Sequence, residues 1–174
     1  MISDPYEPNR LKNNLNNLNE VHALLSYQDV ATDFVTMLCG QKLGEGCYRS
    51  VYEYNLDPRY VIKVEPHNGS CNMAEYLLWE EVKGLKNHLE WVKDWFAPVK
   101  WISPNGKILI MERTQEKPGK ERPKTVPKFM SDLKVSNFGW IKNKFVCHDY
   151  GFIWNFIKYE NKFKSIHKDI YWQP

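Results

Sequence analysis

Apolar residues recur every three or four positions in two parts of the chain, which is the period of an amphipathic helix. The first part covers residues 9–40 and ends at Gly40, a residue type that is common just after a helix. The second part covers residues 71–95, with a break expected at Gly84. This pattern predicts a helical extension at the N-terminus and one long helix in the middle of the chain.

Shorter apolar stretches before and after the second helix predict strands. Residues 41–65 contain a glycine-bearing turn, an alternating stretch around Val51 and a β-branched run at 61–64. Residues 96–114 contain two apolar stretches separated by the turn signal Pro-Asn-Gly. We therefore predict an α+β fold with a five-stranded antiparallel sheet and one long helix, followed by a hairpin in residues 129–152.

The length and composition fit a single domain. The chain has 174 residues, and 43% of them are hydrophobic. Within this domain we expect a helical extension at 1–40, a sheet-bearing unit at 41–114 and a linker rich in Pro and charge at 115–128. The tail, residues 153–174, alternates apolar and basic residues and indicates either a terminal helix or an interaction segment.

Charge and cysteine content exclude several classes of protein. The net charge is only +3, and acidic residues interrupt the basic stretch at 117–128, so we expect no nucleic-acid binding. No apolar run is long enough for a membrane span or a signal peptide. The four cysteines are scattered without a CxxC pair, which argues against structural zinc and disulfides. The sequence thus predicts a cytoplasmic protein with reduced thiols.

Four features that suit phosphate and Mg²⁺ chemistry follow one another along the chain. A turn with Gly44 and Gly46 lies between two predicted strands, where the backbone could approach a phosphate closely. Lys63 lies within a β-branched strand and needs an anionic partner, which the following helix could supply. The oxygen donors of the Asp-Leu-Lys-Val-Ser-Asn segment at 132–137, and of Asp149, are of the type that Mg²⁺–nucleotide sites use.

These features resemble the protein kinase family, and their order along residues 42–152 follows that family. The chain is most similar to short kinase-like proteins of bacteriophages, in which DLK-x-x-N-F-G-W and C-H-D-Y-G stretches occur. The resemblance implies a kinase-like N-lobe, which is a five-stranded antiparallel sheet with an αC-type helix. It also implies a reduced remnant of the C-lobe after the N-terminal helices and the sheet.

The resemblance further implies a site for ATP and Mg²⁺. Asp132 would be the base that accepts the proton of the substrate hydroxyl, and Lys63 and Lys134 would contact phosphate. Asn137 and Asp149 would hold Mg²⁺. The nucleotide would be bound by a set of residues from the glycine turn, the strands and the hinge: Gly44, Gly46, Val51, Lys63, Met111, Glu112 and Arg113.

Two glutamates of the predicted helix are candidates for the partner of Lys63. Glu75 follows Lys63 by twelve positions, which is short for the family, whereas Glu81 has the more usual spacing. We prefer Glu75, because apolar residues three, four and seven positions further on place it on the buried face of the helix. Glu81 remains the alternative.

The sequence departs from the family at several positions. Arg49 replaces the third glycine of the loop, which adds a guanidinium near the phosphates or the helix. Met130 and Ser131 precede Asp132 where the family has His-Arg. Asp132 follows Thr114 by only eighteen positions, which leaves no room for the family's two C-lobe helices. Only 23 residues follow Gly151, so we expect no room for the helices that usually hold a peptide substrate.

Each candidate residue also has a purely structural interpretation. Lys63 could extend its ammonium to solvent from a strand. Asp132, Asn137 and Asp149 could be turn residues that hydrogen-bond their own loops. His148, which has no second ligand nearby in the sequence, is more simply a structural histidine than a metal ligand.

The sequence leaves three functions open. The first is a minimal kinase-like enzyme that binds Mg²⁺–ATP and phosphorylates Ser or Thr of a protein. The second is a pseudokinase-type binding module that captures or inhibits a host protein. The third is a kinase for a small molecule, which would need no peptide platform. A homodimer could complete the missing lobe, and the sequence does not name the substrate or partner.

Overall fold

A five-stranded antiparallel sheet forms the centre of the computed structural model, which describes residues 35, 37–66, 70–151, 153 and 167–169. The strand order is β1-β2-β3-β5-β4, and every neighbouring pair is antiparallel. This confirms the predicted α+β class and the five-stranded antiparallel sheet. The strands are β1 Cys39–Glu45, β2 Ser50–Tyr54, β3 Tyr60–Val64, β4 Val99–Ile102 and β5 Ile108–Glu112.

The helical region between β3 and β4 consists of two pieces. Helix α1 spans Ser70–Gly84 and is followed by a 3-10 helix at Asn87–Trp95, so the break expected at Gly84 is confirmed. Helix α1 buries one face, as its period-3.6 pattern requires. The buried residues of that face include Glu75, Leu78 and Val82.

The strands β3 and β5 are buried on both faces of the sheet, which explains their continuous apolar sequences. Val61, Leu109 and Met111 belong to a core that also contains α1 residues. Ile62 and Ile110 alternate with them and belong to a second core on the other face, together with Leu38. Lys63 shares the face of Val61, because side chains two positions apart on a strand point the same way.

The N-terminal boundary of the sheet differs from the prediction. Val35, Met37 and Leu38 are helical, but β1 already begins at Cys39, so Gly40 lies in a strand and does not end a helix. A Cβ atom at Gly40 would lie 2.5 Å from the Oδ1 atom of Asn55. The glycine therefore relieves crowding between β1 and β2, which the sequence pattern does not distinguish from a helix stop. The rest of the predicted helical extension lies outside the described residues.

A second, smaller layer of strands follows the sheet. The predicted hairpin is present as β7 Phe138–Ile141 and β8 Lys144–Cys147, preceded by a short 3-10 helix at Val135–Asn137. The hairpin contacts the segment that leads into β4, because the N–H of Ala97 donates to the Cys147 carbonyl at 2.8 Å.

The segment predicted as a linker, residues 115–128, is more ordered than expected. It contains strand β6 Thr125–Pro127, which pairs antiparallel with β9 His167–Asp169 from the tail. At its other end, Gln115 forms an antiparallel bridge with Trp140 of β7. Its prolines end regular structure locally, but backbone pairing at both ends fixes the segment to the rest of the chain. Most of the tail lies outside the described residues.

Among the described helices, none is both long and apolar enough to cross a membrane. All four cysteines carry free thiols: Cys39, Cys47, Cys71 and Cys147.

Truncation of Leu38 tests the second core. Leu38 is fully buried, so Leu38→Ala should lower the free energy of unfolding by about 2–5 kcal/mol through lost burial and the cavity left behind. The matched control is Leu77→Ala on α1, where the leucine is 58% exposed and the change should stay within about 0.5 kcal/mol. Urea unfolding followed by tryptophan fluorescence measures both, and equal effects would show that the second core does not depend on Leu38.

Candidate functional site

An open cleft of about 1700 Å³ lies between the sheet and the β7–β8 hairpin. The glycine-bearing turn and β3 line its upper wall, and the end of β5 continues into its back. The loop before β7 and Asp149 line its lower wall. The candidate residues on its walls are Gly44, Gly46, Val51, Lys63, Glu112, Arg113, Asp132, Lys134, Asn137 and Asp149.

The buried ion pair between Lys63 and Glu75 connects β3 to helix α1. The Lys63 Nζ atom lies 2.8 Å from the Glu75 Oε2 atom, and the two side chains are 3% and 0% exposed. The ammonium also donates to the carbonyl of His148. Glu75 is thus the helix glutamate that pairs with Lys63, whereas Glu81 lies on the exposed side of α1.

The second oxygen of Glu75 connects the helix to two further segments. Its Oε1 atom accepts from Arg49 Nη2 at 2.6 Å and from the backbone N–H of Tyr150 at 2.9 Å. Burial alone would raise the pKa of Glu75, but the attraction of Lys63 and Arg49 exceeds that effect and lowers the pKa to about 2. Glu75 therefore carries a negative charge in the interior that several donors compensate.

Arg49 extends from the start of β2 across the cleft to Asp149. The Arg49 Nη2 atom is 2.6 Å from Asp149 Oδ1, and the Nη1 atom donates to Asn72 Oδ1 at 3.1 Å. The two carboxylates raise the pKa of Arg49 against the opposing effect of burial, so it remains a cation. Two cations and two anions are thus grouped here, and only Asp149, with a side chain 48% exposed, is widely open to solvent.

A second acidic residue, Glu65, fixes the start of helix α1 next to β3. Its carboxylate accepts from the backbone N–H groups of Cys71 and Asn72, each at 3.0 Å. These are donors that the first turn of a helix leaves unpaired. Because Glu65 follows β3 directly, it and Lys63 hold two points of α1 against one strand.

The loop before β7 presents Asp132 and Asn137 to the cleft. Asp132 is exposed, and its Oδ1 atom accepts from the backbone N–H of Lys134 at 3.3 Å. Asn137 is buried, and among the described residues its side-chain amide has no hydrogen-bond partner. Lys134 is exposed. The turn interpretation of Asp132 is therefore correct for its local hydrogen bond, and one carboxylate oxygen stays available to another molecule.

His148 joins the lower loop to the end of β5. Its Nε2 atom is 2.8 Å from the Ser136 carbonyl, its Nδ1 atom is 2.7 Å from Thr114 Oγ1, and its own N–H donates to the Asn137 carbonyl at 2.8 Å. Burial and the nearby Lys63 lower the pKa of His148 to about 4, so the ring is neutral at pH 7. A carbonyl only accepts, so Nε2 carries the proton and Thr114 donates to Nδ1.

Two glycines allow the close approach of segments in the lower wall. A Cβ atom at Gly139 would lie 2.6 Å from the Cβ atom of Thr114, and one at Gly151 would lie 2.9 Å from the carbonyl of Cys71. Both distances are shorter than real Cβ contacts. Glycine is therefore required where β7 meets the end of β5 and where the chain after Tyr150 meets α1.

At the two glycines at the turn between β1 and β2, no crowding by neighbouring atoms requires a glycine. A Cβ atom at Gly44 would have no atom within 4 Å, and one at Gly46 would meet only the carbonyl of Arg49, at 3.7 Å. Both residues line the cleft. Their small size leaves room there for another molecule.

Most residues singled out in the sequence lie on or directly behind the cleft walls. Two do not line it: Glu75 acts from behind Lys63, and Met111 is fully buried in the core beside Leu109. Met111 therefore has no surface in this cleft with which to contact a ligand.

Sequence reasoning missed the structural roles of Glu65 and of the pair His148–Thr114. An acidic residue shortly before a helix start is a signal for the capping by Glu65. No spacing rule points to the Thr114–His148 contact, because the partners are 34 positions apart and meet only through the hairpin.

The donor set is compatible with a nucleotide and Mg²⁺. Asn137 offers an amide oxygen and Asp149 a half-exposed carboxylate, and carboxylate and amide oxygens are ligands that Mg²⁺ accepts beside phosphates. Among the described residues, no group of three or more His, Cys, Asp and Glu forms a metal site. A metal ion at this position would thus depend on oxygens that its ligand brings.

Comparison with known protein families gives no match for this sequence, and no curated protein matches it.

Replacement of Glu75 tests the buried network. Glu75→Gln removes the negative charge between two buried cations, so it should lower the free energy of unfolding by about 3–5 kcal/mol. Glu81→Gln on the exposed side of the same helix is the matched control and should change stability by less than about 1 kcal/mol. Chemical unfolding measures both variants, and equal losses would contradict a dominant role for Glu75.

The histidine contact predicts a pH dependence of stability. In the folded state the pKa of His148 is lowered from 6.5 to about 4. Its contribution to the free energy of unfolding is therefore complete above pH 6.5 and is lost as the pH falls through 4. The loss should reach roughly 3 kcal/mol. Unfolding at a series of pH values should show a shallower slope between pH 6.5 and 4 for His148→Gln, which does not titrate. His88→Gln, at an exposed site, should keep the wild-type slope.

Proposed function

We propose that this protein binds Mg²⁺–ATP in the cleft and transfers the terminal phosphate to a Ser or Thr hydroxyl of another protein. The observation that carries the proposal is the buried Lys63–Glu75 pair, in which Lys63, from a five-stranded antiparallel sheet, lines the same cleft as Asp149 and Glu75 holds it from behind. An ammonium that is held by a carboxylate behind it is pre-organised for phosphate. We expect the protein to act in the cytoplasm, where ATP is available.

Each wall of the cleft contributes a different part of the proposed reaction. Gly44 and Gly46 would lie over the phosphates, and Lys63 would neutralise their charge. Asn137 and Asp149 would hold Mg²⁺, which supplies further charge neutralisation when it is bound. Asp132 would orient the acceptor hydroxyl and take its proton, since its carboxylate is exposed at the mouth of the cleft.

The fold and the motifs together support a kinase-like N-lobe. The sheet order, a helix inserted after the lysine strand and a glutamate of that helix on the lysine all follow the order of the motifs in the sequence. The lower wall is a two-stranded hairpin and a short loop, so we propose a reduced remnant in place of a full C-lobe.

A second function is favoured by the Arg49–Asp149 ion pair. This pair occupies one carboxylate oxygen of the residue that would hold Mg²⁺. If Arg49 stayed there, only one oxygen of Asp149 would remain for a metal ion. The alternative is therefore a pseudokinase-type module that binds a partner protein, for example a host protein if the chain is encoded by a bacteriophage.

Replacement of Asp149 separates the two functions. Asp149→Asn should weaken Mg²⁺–ATP binding at least roughly tenfold and abolish Mg²⁺-dependent transfer, because the metal loses its anionic ligand. Titration calorimetry measures binding, and transfer of labelled phosphate from ATP to protein and small-molecule acceptors measures activity.

The matched control is Asp94→Asn, which removes a surface ion pair with Lys144 outside the cleft and should leave both measurements unchanged. Transfer that persists in Asp149→Asn would overturn the assignment of the metal ligand. Absence of ATP binding at millimolar concentration in the wild type would favour the binding module, and labelled small molecules without labelled protein would favour a small-molecule kinase.

A further inference from the structure

Residues 116–124 cross the lower rim of the cleft as a strap that is fixed at both ends. Before it, Gln115 exchanges two backbone hydrogen bonds with Trp140, each at 2.9 Å. After it, β6 pairs with β9. We call this segment the basic strap, since it contains four cations and two glutamates.

The first half of the basic strap is a tight turn that packs on the hairpin. The N–H of Lys120 donates to the carbonyl of Lys117 at 3.1 Å, with Pro118 and Gly119 between them. Gly119 has φ +79°, as the third residue of a type II turn requires. The Lys117 ammonium donates to the Lys142 carbonyl, and the Lys120 ammonium lies 3.8 Å from the ring centroid of Trp140. Both cations are therefore engaged with the hairpin.

The second half carries cations that the described part of the chain does not neutralise. Arg122 and Lys124 are exposed and line the cleft, and neither forms an ion pair with a described acidic residue. Lys134 has the same properties. Lys86 and Lys93 are also exposed and form no ion pair with a described acidic residue, but they do not line the cleft.

These three cations line the same cleft as Asp132. The chain leads from Lys124 through β6 and a turn, in which Met130 N–H donates to the Pro127 carbonyl at 3.0 Å, directly to Asp132. Lys134 follows Asp132 by two positions. Positive charge that is not paired with described acidic residues, on the wall of the cleft that also holds Asp132, favours a negatively charged partner there.

We propose that the basic strap and Lys134 bind an acidic polypeptide, with Asp and Glu residues on either side of the hydroxyl that approaches Asp132. This names the substrate class of the proposed function and rests on it. In the proposed reaction the strap would thereby position the substrate.

A polypeptide suits this surface better than a nucleic acid. Glu116 and Glu121 lie within the strap, and the net charge of the whole chain is only +3. Evenly spaced phosphates would meet these glutamates, whereas acidic side chains can be placed to avoid them. Nucleic-acid binding is therefore an outcome that would contradict the proposal.

The test compares two charge-reversal variants with three labelled probes. The variants are Arg122→Glu with Lys124→Glu, and the control Lys86→Glu with Lys93→Glu, which makes the same change in charge at exposed positions outside the cleft. The probes are a peptide with a central Ser flanked by Asp and Glu, the same peptide flanked by Lys, and a single-stranded RNA of similar length. Fluorescence anisotropy at low salt, without nucleotide, measures binding, and circular dichroism checks that each variant is folded.

The wild type and the control should bind the acidic peptide on the order of tenfold more tightly than either other probe. The strap variant should lose this preference and bind the Lys-flanked peptide better than the wild type does, which a merely unfolded variant would not do. Equal binding of both peptides by the wild type, tighter binding of RNA, or the same loss in the control would overturn the proposal.

The experiments distinguish peptide binding by the basic strap from the proposed kinase activity. Preferential binding of the acidic peptide without phosphate transfer from ATP would support the strap and contradict the proposed kinase activity. Transfer of labelled phosphate without a preference for acidic peptides would support the activity and contradict the strap.

Discussion

The carboxylate of Glu75 is the group on which the arrangement of the cleft depends. It is fully buried, and its oxygens accept from Lys63, from Arg49 and from the backbone of Tyr150. These donors belong to β3, to the start of β2 and to the segment after β8. A buried carboxylate that lost a charged partner would leave the desolvation of a charge uncompensated, at a cost of several kcal/mol. The Glu75 side chain therefore fixes the upper wall of the cleft relative to its lower wall.

Contacts around Tyr150 and His148 hold the lower wall of the cleft in place. The Tyr150 hydroxyl donates to the Ala97 carbonyl at 2.7 Å, and its ring meets Phe96 edge-on at 5.0 Å between centroids. His148 connects the loop of Asn137 to Thr114 at the end of β5. Both residues flank Asp149, which is itself half exposed. The position of Asp149 is thus set by its buried neighbours, and its carboxylate stays free to exchange partners.

Local sequence patterns predicted what depends on neighbours along the chain, and failed where distant segments meet. The period of α1 placed Glu75 on the buried face correctly, because helix geometry alone decides that face. Gly40 was misinterpreted, because the crowding that requires a glycine comes from Asn55 on the next strand. The linker prediction missed β6, since a three-residue strand exists only through its pairing with residues 167–169. A proline-rich composition does not report a partner that lies in the tail.

The ion pair of Arg49 decides how the cleft can accept a ligand. Arg49 holds both Glu75 and Asp149 at 2.6 Å, but the two bonds differ in what their loss would cost. Glu75 has no exposure, whereas water can reach almost half of the Asp149 side chain. Release of Asp149 exchanges a protein cation for solvent or for another cation, while release of Glu75 leaves a buried charge with fewer donors. A cation would therefore compete with Arg49 more easily for Asp149 than for Glu75. In the proposed reaction Arg49 would stay paired with Glu75 after such an exchange, and its charge would remain on the cleft wall beside Lys63.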